Sequence, residues 1–177
     1  MVGRGTRAHA AEVADVNDVA IVVANCVAFP AASVIVGFSA ARVPQSSFDS
    51  DNAITRIRTW ERHGRTWDKV LRVRHWKDRL PEAGALFGGR SKRSLSGSFA
   101  TSRSTQVLRG FQAETRRAEI VHWALLAVTP IYWLWNPLVG DVAVTAVNAA
   151  IHAPFIVVQR YNRARSAAIL ARRHNGH

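Results

Sequence analysis

Three groups of residues in this chain could take, hold or relay a proton. The first is His63-Gly-Arg-Thr-Trp-Asp68, whose spacing would let a carboxylate orient an imidazole that deprotonates a hydroxyl. A His followed five positions later by an Asp is also a common accident of composition. The second is Glu114-Thr-Arg-Arg-Ala-Glu119-Ile-Val-His122-Trp123. On a helix Glu119 and His122 stand at i and i+3 and share a face, whereas Glu114 falls off that stripe. An imidazole steadied by a carboxylate suits a general base. The same residues would equally serve to pair with Arg116 and Arg117 at a helix entry, and the spacing alone leaves both readings open. The third group is Asn148, Pro154 and the run Gln159-Arg160-Tyr161-Asn162-Arg163-Ala164-Arg165, polar residues in or just beyond an apolar stretch. A polar residue within such a stretch raises the question of function or of helix linking, and arginines at its end serve as phosphate ligands or as a snorkelling anchor.

The elements that must position these residues are set by where the apolar residues fall. The chain has 177 residues, 48% of them apolar, enough for one packed unit. One cysteine, Cys26, excludes a disulfide framework and a cysteine-built zinc site. The seven histidines show no ligand spacing, so no metal and no cofactor is expected. The mean hydropathy of −0.03 conceals long uncharged blocks. Val19 to Ala41, Ile120 to Gly140 and Val142 to Gln159 carry no charge. A hydrocarbon core of about 30 Å takes roughly 20 helical residues. The blocks therefore predict an all-α integral membrane protein with about three transmembrane helices. These are an N-terminal span over 19–41 and a C-terminal helical hairpin over 120–159, turning at Asn136-Pro137 and Gly140-Asp141. Tyr132, Trp133 and Trp135 near the tip, and Trp123 near the other end, fit an aromatic belt. Within the first span, Pro30 and Gly37 suggest a kink and a close helix contact, and Asn25 calls for a polar partner.

The formal net charge of +12 is blocked as well. Residues 1–18 are net acidic, residues 42–119 carry 17 basic against 8 acidic side chains, and residues 160–177 carry five arginines and no acid. The positive-inside rule makes 42–119 a basic, mostly helical cytoplasmic segment and 160–177 a cytoplasmic tail, leaving 1–18 outside. A long, acidic leader before a 23-residue run argues for an uncleaved span, although Ser39-Ala40-Ala41 offers the small residues of a signal cleavage site.

In the middle segment, a loop rich in Ser and Asp precedes a helix expected over about Ile54 to Val73. Gly84 to Gly97 reads as a Gly/Ser-rich loop, and Thr105 to Glu119 as a helix running into the second apolar block. No repeat is visible. The charge does not point to nucleic acid: basic residues beside spans are accounted for by topology and anionic lipids. Trp60, Trp67 and Trp76 suit an interfacial surface better than a base-stacking platform.

Taken in order, these residues resemble the glycosyl-4,4'-diaponeurosporenoate acyltransferase family. The resemblance rests on Trp60-Glu61 with Gly64, Trp76-Lys77-Asp78 with Leu80-Pro81-Glu82, and Gly84 with Phe87. It continues through Glu114 to Glu119 with His122-Trp123, Trp135-Asn136, Pro154, and Gln159 to Arg165. It covers about 54–170. It implies a small bacterial multipass cell-membrane enzyme that esterifies a sugar hydroxyl of a glycosylated carotenoid with a fatty acyl chain, the final step to staphyloxanthin. His63 and Asp68 are not part of that family's pattern, and Ala164 is a mild departure from it. The basic, Ala- and Arg-rich composition suggests a high-GC bacterium whose acceptor is another glycolipid.

The expectation is therefore a membrane O-acyltransferase without cofactor. Its partners are an acyl donor, acyl-CoA or acyl carrier protein, a glycosylated lipid acceptor and the bilayer lipids, with membership of an oligomer or complex left open. His122 would take the hydroxyl proton, with Glu119 orienting it and Glu114 nearby. Lys77, Arg116, Arg160 and Arg163 would hold the donor's phosphates or the oxyanion. Asp78, Gln159 and Asn162 would position sugar hydroxyls. The rival expectation is a non-enzymatic membrane subunit or lipid-binding assembly partner.

Overall fold

A computed structural model describes residues 3–81 and 105–175, with side chains from 17–81 and 105–174. The described residues are helical, with no strand among them. The chain opens with α1 (Gly3–Arg42) and a 3-10 turn at Gln45–Phe48, then reaches a second 3-10 segment at Thr59–Gly64. Two short helices follow, α2 (Arg65–Leu71) and α3 (Val73–Trp76), and the second passes into a 3-10 turn at Lys77–Arg79. Beyond these come α4 (Thr105–Ala127), α5 (Thr129–Tyr132) and α6 (Leu138–Asn175). The expected Gly84 to Gly97 loop lies outside the described residues.

The antiparallel pair of α4 and α6 is the frame, and the other elements pack on it. Asn17–Arg42 and Leu138–His174 are each long and apolar enough to cross a membrane, by length and composition. The expected C-terminal hairpin is redrawn. The uncharged block from Ile120 to Gly140 is not one helix: α4 stops at Ala127, and Pro130, with no N–H to give, starts the short α5. Gly140-Asp141 is not a turn either. The ladder of α6 begins at Pro137, whose carbonyl accepts from the Asp141 N–H at 2.9 Å. Gly140 is small for a packing reason, since a Cβ there would stand 3.1–3.2 Å from the Asn136 side chain and Pro137. Nor is 160–177 a separate tail: α6 runs through Pro154 to Asn175, so the arginine cluster is carried on the same rod as Asn148. At about 1.5 Å per residue that rod is some 57 Å long.

Asn25 has the polar partner its place in α1 requires. Its Nδ2 donates to Asn136 Oδ1 at 2.8 Å, while its Oδ1 accepts from Asn136 Nδ2 at 3.1 Å and Trp135 Nε1 at 3.0 Å. Phe29 stacks on Tyr132 one turn further along, at 4.5 Å between centroids. Side-chain amides thus tie α1 to the turn between α5 and α6.

The helix expected over 54–73 is absent in its first half. Asn52 Oδ1 accepts from the Ile54 and Thr55 backbone N–H groups, closing a turn there, and Arg58 is extended at φ −90°, ψ 152°. Arg62, His63 and Gly64 then occupy the left-handed region in succession, at φ 44°, 58° and 85°. Only Gly adopts it without steric cost. A Cβ on Gly64 would also stand 3.1 Å from Arg165 Cγ and 3.3 Å from Tyr161 Cδ2, so this glycine is where the segment touches α6. Trp67 and Trp76, expected on an interfacial surface, instead pack against Val73, Val158 and Tyr161, and Trp60 is the exposed one.

Candidate active site

Polar residues recur along the two facing helices at a spacing that keeps them on one stripe. On α6 these are Asn148, His152, Gln159, Arg163 and Ser166, all buried. On α4 the matching stripe is Gln112, Thr115, Glu119 and His122, with Thr129 just beyond its end. The stripes meet in register. Asn148 Nδ2 donates to Leu125 O at 3.0 Å and Thr129 Oγ1 at 2.6 Å. Nearer the middle, Nδ1 of His122 lies 3.0 Å from Nδ1 of His152. At the other end Gln112 Nε2 donates to Ser166 Oγ at 3.3 Å.

Between the histidines and Gln112 runs a chain of alternating charges. Arg116 Nε donates to Asp51 Oδ1 at 2.6 Å, and the same Asp51 oxygen lies 3.8 Å from Arg163 Nε. Arg163 Nη2 meets Glu119 Oε2 at 2.5 Å, and Glu119 Oε1 accepts from Arg160 Nη1 at 2.7 Å. Arg160 Nη2 then reaches Glu61 Oε1 at 2.5 Å. Three guanidiniums and three carboxylates are joined, so the chain is formally neutral. Glu61, Glu119 and Arg163 have no solvent exposure. Burying charges this way requires the remaining donors to be met as well. For Arg160 they are: Nη1 also donates to Ile54 O and Nη2 to Arg56 O, each at 3.0 Å. Glu61 accepts in addition from the Arg58 N–H and from Trp67 Nε1, both at 2.8 Å. Arg116 Nη1 donates to Phe48 O and Asp49 O. Arg163 Nη2 also donates to Thr55 O, but its Nε and Nη1 are buried without a hydrogen-bond partner, as is Oε1 of Gln159.

Glu119, His122, Gln159, Arg160 and Arg163 are thus brought to one interface, in arrangements the spacing did not foretell. The Glu119 carboxylate meets two arginines, and Trp123 Nε1 lies 3.4 Å from its Oε1. His122 meets His152 and stacks on the Phe155 ring at 4.6 Å. In a hydrogen bond between two imidazole nitrogens one donates and the other accepts, so each ring constrains the other's tautomer. Arg116 clamps the Phe48–Asp51 loop. Glu114 lies 3.7 Å from Arg117, away from the stripe. Lys77 pairs with its neighbour Asp78 at 2.6 Å on the surface, and Asn162 is half-buried on α6. Asp68 Oδ1 accepts from the Arg74 N–H at 3.1 Å, and His63 sits in the left-handed turn, so neither belongs to the interface.

Asp51, Thr55, Glu61, His152 and Phe155 are the members that spacing arguments passed over. The signal for His152 was present: Asn148, His152, Gln159 and Arg163 recur at helical period through an otherwise apolar run. A groove of about 650 Å³ between Gln45, Asp49, Gln106, Arg109 and Leu170 opens near the start of α4. From Arg109 to His122 is roughly 20 Å along the helix, so that groove is not where the imidazoles act. Among the described residues no group of acidic, His or Cys side chains is arranged to hold a metal ion.

The family described as glycosyl-4,4'-diaponeurosporenoate acyltransferase matches residues 44–172, which takes in every residue of this network. The chain is 34% identical to the protein of that name from Staphylococcus haemolyticus (strain JCSC1435), over 70% of each chain. It is 29% identical to its namesake from Staphylococcus aureus (strain N315), over 73% of this chain and 75% of that one. No solved structure gives a significant match. With the family pattern spread over the α4–α6 interface and the loop that closes it, the chain belongs to the glycosyl-4,4'-diaponeurosporenoate acyltransferase family of enzymes.

Proposed function

We propose that this protein is a membrane O-acyltransferase that moves a fatty acyl chain from a thioester donor to a sugar hydroxyl of a glycosylated lipid or carotenoid. The observation that carries the reading is the His122–His152 pair, set beside a buried charge chain within the family-matched residues. The acceptor hydroxyl gives its proton to the imidazole pair as its oxygen attacks the acyl carbonyl. A C–O bond forms, the C–S bond of the donor breaks, and the proton passes to the departing thiolate. The pair replaces the expected Glu119–His122 couple. Glu119 acts at one remove, as a positioning residue: by gripping Arg160 and Arg163 it fixes α4 against α6 at the height where the two rings meet.

Membrane embedding is supported by apolar side chains that stand exposed on the two long helices, among them Val22, Val27 and Ile35 on α1 and Leu138, Val139 and Val142 on α6. Continuous apolar faces of that extent suit a bilayer. The cytoplasmic side would be the one carrying Arg172 and Arg173, as the charge asymmetry requires. Lys77 would meet the donor's phosphates, of acyl-CoA or acyl carrier protein, from the surface. Arg116 and Arg160 are committed to internal acceptors and act as structure. The relatives' name gives glycosyl-4,4'-diaponeurosporenoate as acceptor. For this chain the reading extends to the class of glycosylated lipids.

The test is direct. Membranes holding the full-length protein are incubated with acyl-CoA and a glucosylated lipid, and the products are weighed by mass spectrometry. The reading predicts a species heavier by one acyl chain that is absent with His122→Ala. No acylated product with any sugar lipid would refute it.

A further inference from the structure

Two orphaned groups lie one turn apart on one helix. Oε1 of Gln159 is a buried acceptor with no donor, and Nε and Nη1 of Arg163 are buried donors with no hydrogen-bonded acceptor. Asp51 lies 3.8 Å from Arg163 Nε, an ion pair rather than a hydrogen bond. Gln159 is 1% exposed and Arg163 not at all. Their positions, i and i+4, put the Cβ atoms roughly 5–6 Å apart on the same face. That face points at α4, because Phe155, one turn before Gln159, stacks on His122, and Arg163, one turn after, binds Glu119.

A buried acceptor and buried donors on one helix face are complementary in kind to a single hydroxyl group. Its hydrogen would go to Gln159 Oε1 and its oxygen would accept from Arg163, each over the ~2.8 Å of an ordinary hydrogen bond. A carboxylate or phosphate would satisfy the guanidinium but repel the amide oxygen. An alkyl group would satisfy neither. Unmet polar atoms at this depth are costly, so the arrangement is explained when a hydroxyl is present.

We propose that Gln159 and Arg163 form a one-hydroxyl site where the charge chain approaches the histidine pair, filled by a hydroxyl of the acceptor sugar or by a resident water. The proposal rests on the acyltransferase reading for its sugar but not for its geometry. A sugar hydroxyl seated there would bring its ring beside His122. A water would stand in for it until the sugar arrives.

The experiment uses full-length protein in a sugar-free zwitterionic detergent. Its melting is followed with octyl β-D-glucoside, and with the octyl ether of tetraethylene glycol as the glucose-free control. Gln159→Leu removes the acceptor, and Gln159→Met takes its place if the leucine variant does not fold. Gln159→Glu is no neutral control, since its carboxylate would meet the Arg163 donors directly. If a sugar hydroxyl fills the site, the glucoside raises the wild-type Tm, the control does not, and Gln159→Leu loses more than half of that shift. If the occupant is a resident water, Gln159→Leu melts at least ~2–4 °C below wild type and keeps the shift. Either loss supports the site. If Gln159→Leu melts at or above wild type with the glucoside response unchanged, no hydroxyl is held there and the proposal is overturned. Melting is independent of turnover, so this failure is distinct from a failure of acyl transfer.

Discussion

Glu119 of α4 meets Arg163 of α6 across 44 residues of sequence, with both side chains fully buried and Oε2 to Nη2 at 2.5 Å. The contact lies midway along the helix pair, next to the turn that places His122 against His152. A buried pair of this kind adds little net stability over an apolar pair, because desolvation offsets the Coulomb gain. Its consequence is positional, since neither helix can slide without stranding a charge. Asp51 and Glu61 extend the same constraint to the 45–64 segment, which Arg160 and Arg163 also hold through the carbonyls of Ile54, Thr55 and Arg56.

Removing one member of that pair should therefore cost far more than the pair contributes. Glu119→Ala leaves Arg160 and Arg163 buried together without their shared carboxylate, a loss of about 3–5 kcal/mol. Thermal unfolding of purified protein should show a Tm lower by roughly 6 °C or more. Arg163→Met should fall similarly. Replacing both residues with apolar ones should cost less than the two single losses combined. An additive double mutant would mean that the two residues are not coupled.

Gly64→Ala tests the contact between the left-handed turn and α6. The alanine Cβ would meet Arg165 and Tyr161 at 3.1–3.3 Å, and at φ +85° an alanine is strained whatever the space. The expected destabilisation exceeds ~1 kcal/mol. A larger loss of acyl transfer should accompany it if the turn also holds Glu61 in place. A Tm equal to wild type would show that the turn is not built as described.

The reciprocal amide bonds of Asn25 and Asn136 predict a coupling that sequence distance would not suggest, across 111 residues. A double-mutant cycle on Asn25→Leu and Asn136→Leu should give an interaction of ~0.6–1.7 kcal/mol, the range for hydrogen bonds between membrane helices. Zero coupling would detach α1 from the α5–α6 turn.

Several of these relationships could be read in advance. The helix from Thr105 begins where the sequence reading places it and runs on into the second apolar block. The need for a partner at Asn25 follows from a polar amide in an apolar helix. Gly64 belonged to the family resemblance, and its reason becomes visible only against α6. What could not be read was pairing at long range. Glu119 and His122 share a helix face, so local spacing suggested that they work on each other. The partners of that face, Arg160, Arg163 and His152, lie on a helix whose register is set by tertiary packing. The boundaries failed for a related reason. Gly140-Asp141 has turn composition, yet Gly140 is small to admit Asn136, and Asp141 suits the first turn of a helix because of its dipole. Between Asn52 and Gly64 the local hydrogen bonds of Asn52 and the positive φ angles at 62–64 outweighed helical propensity.

If α1 and α6 lie in a bilayer, the protein should stay in the membrane pellet after washing with high salt and then carbonate. Salt screens surface charge over distances beyond ~3 Å at 1 M and would release a protein held only by its +12 charge. Release into the supernatant would contradict the membrane reading.

The histidine pair is tested by comparing His152→Ala and His122→Ala with wild type in isolated membranes. Each should lower turnover by ~10²–10⁴-fold, the scale of general-base catalysis, and the double variant should be little worse than either single one. Normal turnover in His152→Ala would remove His152 from the reaction and contradict the pair.

The most direct measurement is the lipid mass spectrum of a strain lacking the gene, set against wild type and against complementation with His122→Ala. The account predicts that at least one glycolipid loses the mass of one fatty acyl chain on deletion. The wild-type gene should restore it and the alanine variant should not. A glycolipid profile unchanged by the deletion, or fully restored by His122→Ala, would contradict it.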